Sequence, residues 1–252
     1  MYEPFHKLKY SFAATYFDQM RNAVPKVAKE KGAKKVCTMY QDDEFGLEVL
    51  RGAEAGLKAA GMEFVEKTSY ERGATDFSSQ VSKMQASGCD MIVLGTIIRE
   101  TIGAIGTARK LGYNPTFLGS SAAYTDLIHK LGGPAMNGLY ATSTVQNPYL
   151  DDASPAISFW AKKYKTKFNE DPTVFSVYGY NIVDTFAVAA GKAGANLSTE
   201  SFIKAMDTMK IPPDIFGSAE ATFSPTKRLG SDASRLSQIT DGKWKPVSEY
   251  FK

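Results

Sequence analysis

Between residues 32 and 144 the apolar positions alternate between two rhythms. Short runs at 35–40, 63–67, 90–95, 116–119 and 139–144 are rich in Val, Ile, Leu, Met, Phe and Thr, and polar or glycine residues bound them. Runs of that length and make-up predict buried strands. Between them, Leu50, Ala53, Leu57 and Ala60 recur at helical spacing, as do Phe77, Val81 and Met84, and then Ile98, Ile102 and Ile105. The punctuation agrees. Asp76 stands where an N-cap is wanted before Phe77, and Gly61 and Gly112 stand where C′ glycines end helices. An earlier helix, about 19–31, ends at Gly32 and carries Pro25, which leaves its start open. Alternating strands and helices with short connections predict an α/β fold with a doubly wound parallel sheet, covered on both faces.

After Thr144 the rhythm changes. "QNPYLDDASP" is a polar connector, and Ser154-Pro155 forms an N-cap and N1 pair. Ile157, Trp160, Ala161, Tyr164 and Phe168 then make one wide apolar stripe. Ile182, Val183, Phe186 and Ala190 make a second within 179–193, and Phe202, Ile203, Met206 and Met209 a third within 199–210. No strands of comparable strength accompany these helices. Their apolar faces, over residues 156–209, are therefore expected to be exposed, repacked or covered by another chain. The tail "RLSQITDGKWKPVSEYF" predicts a hairpin turning at Asp241-Gly242.

Charge narrows the function little. With 30 basic and 27 acidic side chains the net charge is +3, too small to suggest a polyanion partner. The lysines at 26, 29, 31, 34 and 35, and at 162, 163, 165 and 167, interleave with apolar positions as solvated helix faces do. No nucleic-acid partner is expected. No apolar run approaches the length of a membrane-spanning helix, and residues 1–7 carry no apolar stretch like that of a signal peptide. Cys37 and Cys89 lack zinc-ligand spacing and read as two free thiols, with a disulfide as the alternative if the chain is exported.

The acids Asp42, Asp43 and Glu44 invite a metal or phosphate reading. A phosphate-accepting switch needs a further aspartate at the end of the third strand, where "DMIVLG" runs instead into Thr96-Ile97. A Ca²⁺ loop needs a closing glutamate that Gly46 pre-empts. Acids at a helix start cap its free N–H groups and suit its dipole, and that is the reading adopted. There is no phosphate-binding glycine motif, and Gly103 and Gly106 read as close packing within a helix. His6 and His129 have no ligand partners at useful spacing and read as surface or structural residues. No cofactor, metal or catalytic group is expected. What remains is the carboxyl ends of the strands, where open α/β sheets hold ligands: residues 41–45, Thr96-Ile97, and 120–124. An aromatic, small hydroxyls and apolar surface suit a small molecule held without chemistry.

The runs "KGAKKVCTMYQDDEFGLEVLRGAEAGLKAAG", "DFSSQVSKMQASGCDMIVLGT", "GTARKLGYNPTFLGSS", "GLYATST" and "YGYNIVDTFAVAAGKAG" resemble, in order, successive blocks of the leucine/isoleucine/valine-binding family of type I periplasmic solute-binding proteins. The resemblance covers about residues 9–244. It implies two α/β lobes joined by three crossover strands, a solute trapped between them, and delivery to the membrane permease of an ABC importer from the periplasm. Lobe 2 would be residues 11–144, the later part of lobe 1 residues 145–225, and a return to lobe 2 residues 226–252. Carried over by position, the ligand contacts are Phe45, Thr96, Ile97, Ser120, Ser121, Ala122 and Phe175.

Two departures matter. Amino-acid binders of this family place a carboxylate near Ser121 for the solute's ammonium, and burying an ammonium without one is costly. Serine there turns the expectation from an α-amino acid towards a neutral or acidic ligand: a small carboxylate, with an aromatic acid as one option and an amino-acid-like solute as another. The other departure is that the chain begins where a family member is about to make its first crossover. About 110 to 130 residues of lobe 1 are expected to be missing, judged from ordinary domain sizes. Lobe 1 would then be incomplete, with self-association through its exposed helices as an expected consequence. A ligand-sensing receptor module of the same fold and an α/β enzyme with an unrecognised site are the alternatives.

Overall fold

The structure is a computed structural model and describes residues 2–252. The chain forms two compact units. A helical unit takes the N-terminal stretch to Ala14 and Thr144–Ala233, and a sheet unit takes Thr15–Ser143 and Ser234–Lys252. The chain therefore passes from one unit to the other three times, at 14/15, 143/144 and 233/234.

In the sheet unit the elements run α1 (Tyr16–Lys31), β1 (Val36–Gln41), α2 (Glu44–Ala59), β2 (Phe64–Tyr70), α3 (Ser78–Ala86), β3 (Met91–Gly95), α4 (Ile98–Lys110), β4 (Thr116–Gly119), α5 (Asp126–Gly132) and β5 (Tyr140–Ser143). The order in the sheet is β2-β1-β3-β4-β5, all parallel, and β8 (Arg235–Thr240) and β9 (Lys243–Pro246) add antiparallel beyond β5. The expected strands and the Asp241-Gly242 hairpin are thus present, with both turn residues at positive φ. α1 and α2 cover one face. Met20, Val24 and Val27 of α1 and Val49, Ala53 and Leu57 of α2 close over Val36, Met91, Val93 and Leu118 of the strands. On the other face the Tyr70 and Phe77 rings meet edge-on at 5.5 Å.

α1 runs unbroken through Pro25 and starts at Tyr16, because Thr15 accepts the Asp18 N–H and fixes the first turn. Proline has no N–H to give to the Arg21 carbonyl. The neighbouring α2 comes so close there that a side chain at Gly52 or Gly56 would run into the backbone of Phe17 or Arg21. Gly103 is likewise a packing position, since a Cβ would stand 2.7 Å from the Phe77 ring, whereas Gly106 has open space. Asp76 accepts the Ser78 N–H at 2.9 Å, but Phe77 is the residue that flanks α3, so the helix begins one position later than expected.

The reading of two free thiols is overturned: Cys37 and Cys89 form a disulfide. Cys37 lies in β1 and Cys89 in the turn leading into β3, its parallel neighbour, with Cα atoms 5.9 Å apart and both residues buried. Such a separation is within the ordinary disulfide range. Nothing in the 52-residue spacing announces the pair, because the sheet order, rather than the sequence, brings them together.

The helical unit holds α6 (Pro155–Phe168), α7 (Val174–Ala193), α8 (Thr199–Thr208), and a two-residue pair of strands, β6 (Lys210–Ile211) and β7 (Ala221–Thr222). α7 begins five residues before the expected start, where Ser176 Oγ accepts the Thr173 N–H. Ser154 caps α6 and Ser198 caps α8. A small core gathers Ala189, Met206, Met209 and Phe223, with Tyr10 and Phe202 against it. Beside it Arg228 is buried, bonded at 2.8 Å to Asp207 and stacked 4.6 Å from the Tyr10 ring. Elsewhere the apolar stripes are divided: Ile157 and Ala161 of α6 are buried, whereas Phe159, Phe168, Ile182, Val183, Phe186 and Val188 are each more than half exposed.

Candidate functional site

The sheet unit brings most of the expected contact residues to its carboxyl edge, on the loops after β1, β3 and β4, three neighbours in the sheet. After β1, Asp43 caps α2 by accepting the Gly46 N–H at 3.1 Å and also takes the Gln41 side-chain amide. The acids here do begin a helix. Phe45, one residue into α2, is half-buried and packs inward, its ring edge-on to Tyr16 at 5.0 Å. Burial, with Glu48 nearby, raises the Tyr16 hydroxyl above its ordinary pKa.

After β3, Thr96 is buried and its hydroxyl is 2.6 Å from that of Thr101, while Ile97 is half-exposed at the start of α4. After β4, Ser120 is buried and caps a single 3₁₀ turn, Ser121–Ala123, by accepting the Ala122 N–H at 3.3 Å. Ser121 and Ala122 are half-exposed on that turn. Phe175 is 56% exposed near the start of α7 and belongs to the helical unit.

Two polar residues absent from the sequence reading organise this edge. Gln19, buried in the first turn of α1, accepts the Ser121 N–H at 2.9 Å and the Thr142 hydroxyl at 2.7 Å through one oxygen. It ties the β4 loop to α1 and β5 and sets which way the turn faces. Its only signal in the sequence is a glutamine flanked by apolar face positions such as Met20, Ala23 and Val24. Glu100, in the first turn of α4, is 1% exposed, and with burial and Asp43 it pushes the Tyr70 hydroxyl well above its ordinary pKa.

Of the expected contacts in the sheet unit, Phe45, Ile97, Ser121 and Ala122 are the accessible ones, with the exposed Asp42 and Glu44 beside Phe45. The four carry one hydroxyl among them, and such a surface can stack on or enclose a small apolar body and bond to a polar end. Among the described residues no group of three or more His, Cys, Asp or Glu is arranged to hold a metal. His129 is buried in α5, where desolvation lowers its pKa, and His6 accepts the Leu8 N–H in an exposed stretch.

A family model described as "Periplasmic binding protein" matches residues 4–243. Among curated proteins, Leu/Ile/Val-binding protein homolog 8 of Brucella abortus (strain 2308) is 23% identical over 198 residues, 77% of this chain and 49% of that protein. The chain thus spans about half the length of the curated relatives it matches. Among solved structures, the fatty acid ABC transporter substrate-binding protein from Thermomonospora curvata superposes with a TM-score of 0.83 at 23% identity, over 97% of this chain and 66% of that one. A branched chain amino acid ABC transporter from Thermus thermophilus with bound valine gives 0.82 at 19% identity, over 95% and 66%. At such identities these likenesses speak for the fold.

Proposed function

The chain belongs to the periplasmic binding protein family, and on that footing we propose that it is the solute-binding component of an ABC importer. Its solute is a small organic carboxylate, an aromatic acid foremost and an amino-acid-like molecule second. It hands this solute to the importer's membrane permease from the periplasmic side of the membrane.

One observation carries the reading: Phe45, Ile97 and Ser121-Ala122 follow three adjacent parallel strands at the edge where open sheets take ligands. The surface joins apolar groups to a hydroxyl, and position 121 itself carries a serine rather than a carboxylate that would repel an acid. Fatty acids and valine, named for the two solved relatives, both combine a carboxylate with an apolar body. The Cys37–Cys89 disulfide supports an oxidising compartment.

A thermal-shift panel of benzoate, octanoate, valine, leucine and succinate, with a neutral sugar as control, tests the proposal. A saturable rise with the apolar monocarboxylates, diminished in Phe45→Ala, is the expected result. Response to the sugar alone, or none to any carboxylate, would overturn it. Micromolar binding of leucine, isoleucine or valine would overturn the preference for a solute without an ammonium group.

A further inference from the structure

At the carboxyl ends of β1, β2 and β3 the sheet unit buries polar atoms that nothing answers. Gln41 ends β1 and Tyr70 ends β2, and the register sets them side by side, so both side chains leave the sheet on one face. The Tyr70 hydroxyl reaches the carbonyl of Gly95, the last residue of β3, and Glu100 stands in the first turn of α4, the helix that follows that strand. Neither oxygen of the Glu100 carboxylate has a hydrogen-bond partner, and neither has Oε1 of the buried Gln41. The Gln41 amide cannot be turned round to cure this, because its Nε2 donates to Asp43, and a carboxylate only accepts. The nearest cation to Glu100 is Arg99, 4.0 Å away at Nη2, with 74% of its side chain in water. That is too far for a hydrogen bond.

Tyr70 adds to the shortage of donors. Its hydroxyl donates to the Gly95 carbonyl at 3.4 Å, beyond the usual range for an O–H···O bond. The Thr96 and Thr101 hydroxyls, the other buried donors at this edge, are already engaged: one bonds to the other, and Thr101 also donates to the Ile97 carbonyl. The cluster is thus rich in acceptors and poor in donors; of its two carboxyl groups, Asp43 accepts from Gly46 and Gln41, whereas the deeply buried Glu100 has no partner. An unpaired buried carboxylate is strongly disfavoured, and an anion or an apolar group placed beside it would leave it so.

We propose that Glu100, Gln41 and Tyr70 form a buried receptor for a small monovalent cation. One unsatisfied carboxylate beside neutral oxygens matches a single positive charge. Calcium and magnesium are held by larger oxygen sets, usually with several carboxylates or waters. An alkali ion from the medium and the primary ammonium of an organic solute present the same chemistry to these oxygens. The receptor lies at the start of α4, next to Thr96-Ile97, so its occupant steadies the turn that presents Ile97. The proposal stands apart from the identity of the carried solute.

Thermal unfolding of the chain in sodium, potassium, ammonium, methylammonium and tetramethylammonium chlorides at constant ionic strength tests it. At least one of the small cations is expected to raise the midpoint by several degrees, saturating in the millimolar range, and tetramethylammonium is expected to give no such rise. A response to methylammonium alone assigns the site to an organic ammonium, and one to sodium or potassium assigns it to an alkali ion. Glu100→Gln is expected to abolish the saturable response. If that variant does not fold, Tyr70→Phe is expected to shift saturation to higher concentration by about tenfold. Identical behaviour in all five salts, or a response unchanged in the folded variant, overturns the proposal.

Discussion

In the sheet unit Val49, Leu57 and Val93 are wholly buried, whereas in the helical unit Ile182, Val183 and Phe186 are more than half exposed. Both sets lie on regular elements and both repeat at the spacing that marks a buried face. What separates them is the layer opposite. α2 has the parallel sheet and α1 to close on, while α7 meets α8 along part of its length, through Ala189 and Met206, and the only strands of its unit among the described residues are the two-residue β6 and β7. An apolar stripe states that a helix has a face to bury, and the rest of the molecule decides whether it is buried.

The sharpest test is the same substitution in both places. Val49→Lys puts an unpaired charge into a closed core and is expected to cost about 4 kcal/mol or more, enough to unfold the sheet unit. Val183→Lys is expected to change stability by about 0.5 kcal/mol at most. Equal losses in urea titrations would erase the contrast.

The covalent link comes next. The Cys37–Cys89 bridge closes a loop of 52 residues within the sheet unit, worth about 4 kcal/mol in the chain-entropy picture. The two tryptophans report the units separately, since Trp160 lies in α6 and Trp244 in β9. Cys37→Ala with Cys89→Ala is expected to lower the urea midpoint seen by Trp244, in a Trp160→Phe background, more than the midpoint seen by Trp160 in a Trp244→Phe background.

In the helical unit the corresponding fixed point is ionic. Asp207→Asn leaves Arg228 buried without its counter-charge and is expected to cost about 3 kcal/mol, read this time by Trp160. Fluorescence changes confined to Trp244 would contradict that placement. The smallest effect is a pH dependence in the sheet unit. Burial lowers the pKa of His129 below its ordinary 6.5, so the unfolded chain takes up the proton first. The stability tied to a neutral His129 is complete above pH 6.5 and declines as the pH falls from there towards the folded value. His129→Gln is expected to flatten the Trp244 midpoint across that window.

Much of this contrast was legible in the chain. The five strands are short apolar runs with clear ends, and the unpartnered stripes after Thr144 were visible as helices without strands to meet them. The site was legible only as positions. Sequence placed Phe45 and Ile97 after their strands, but the inward turn of the Phe45 ring onto Tyr16 depends on where α1 packs. Gln19 escaped notice because a single polar residue on a helix says nothing of the Ser121 amide 102 positions away. Glu100 escaped notice too, since an acid in the first turn of a helix is ordinary and its burial depends on what packs over it, and the disulfide was hidden because strand order, rather than spacing, makes its two cysteines neighbours.

The three passages of the chain between the units have a consequence for how the molecule can be cut. Neither unit is one continuous stretch, so no pair of ends releases an intact half. A protease that opens one passage leaves the units tethered through the other two, and the product keeps its mass on a non-denaturing gel. A gene fragment ending at 143 lacks β8 and β9, which continue the sheet beyond β5. Separating the units calls for joining residue 143 to 234 and residue 14 to 144, a splice rather than a truncation.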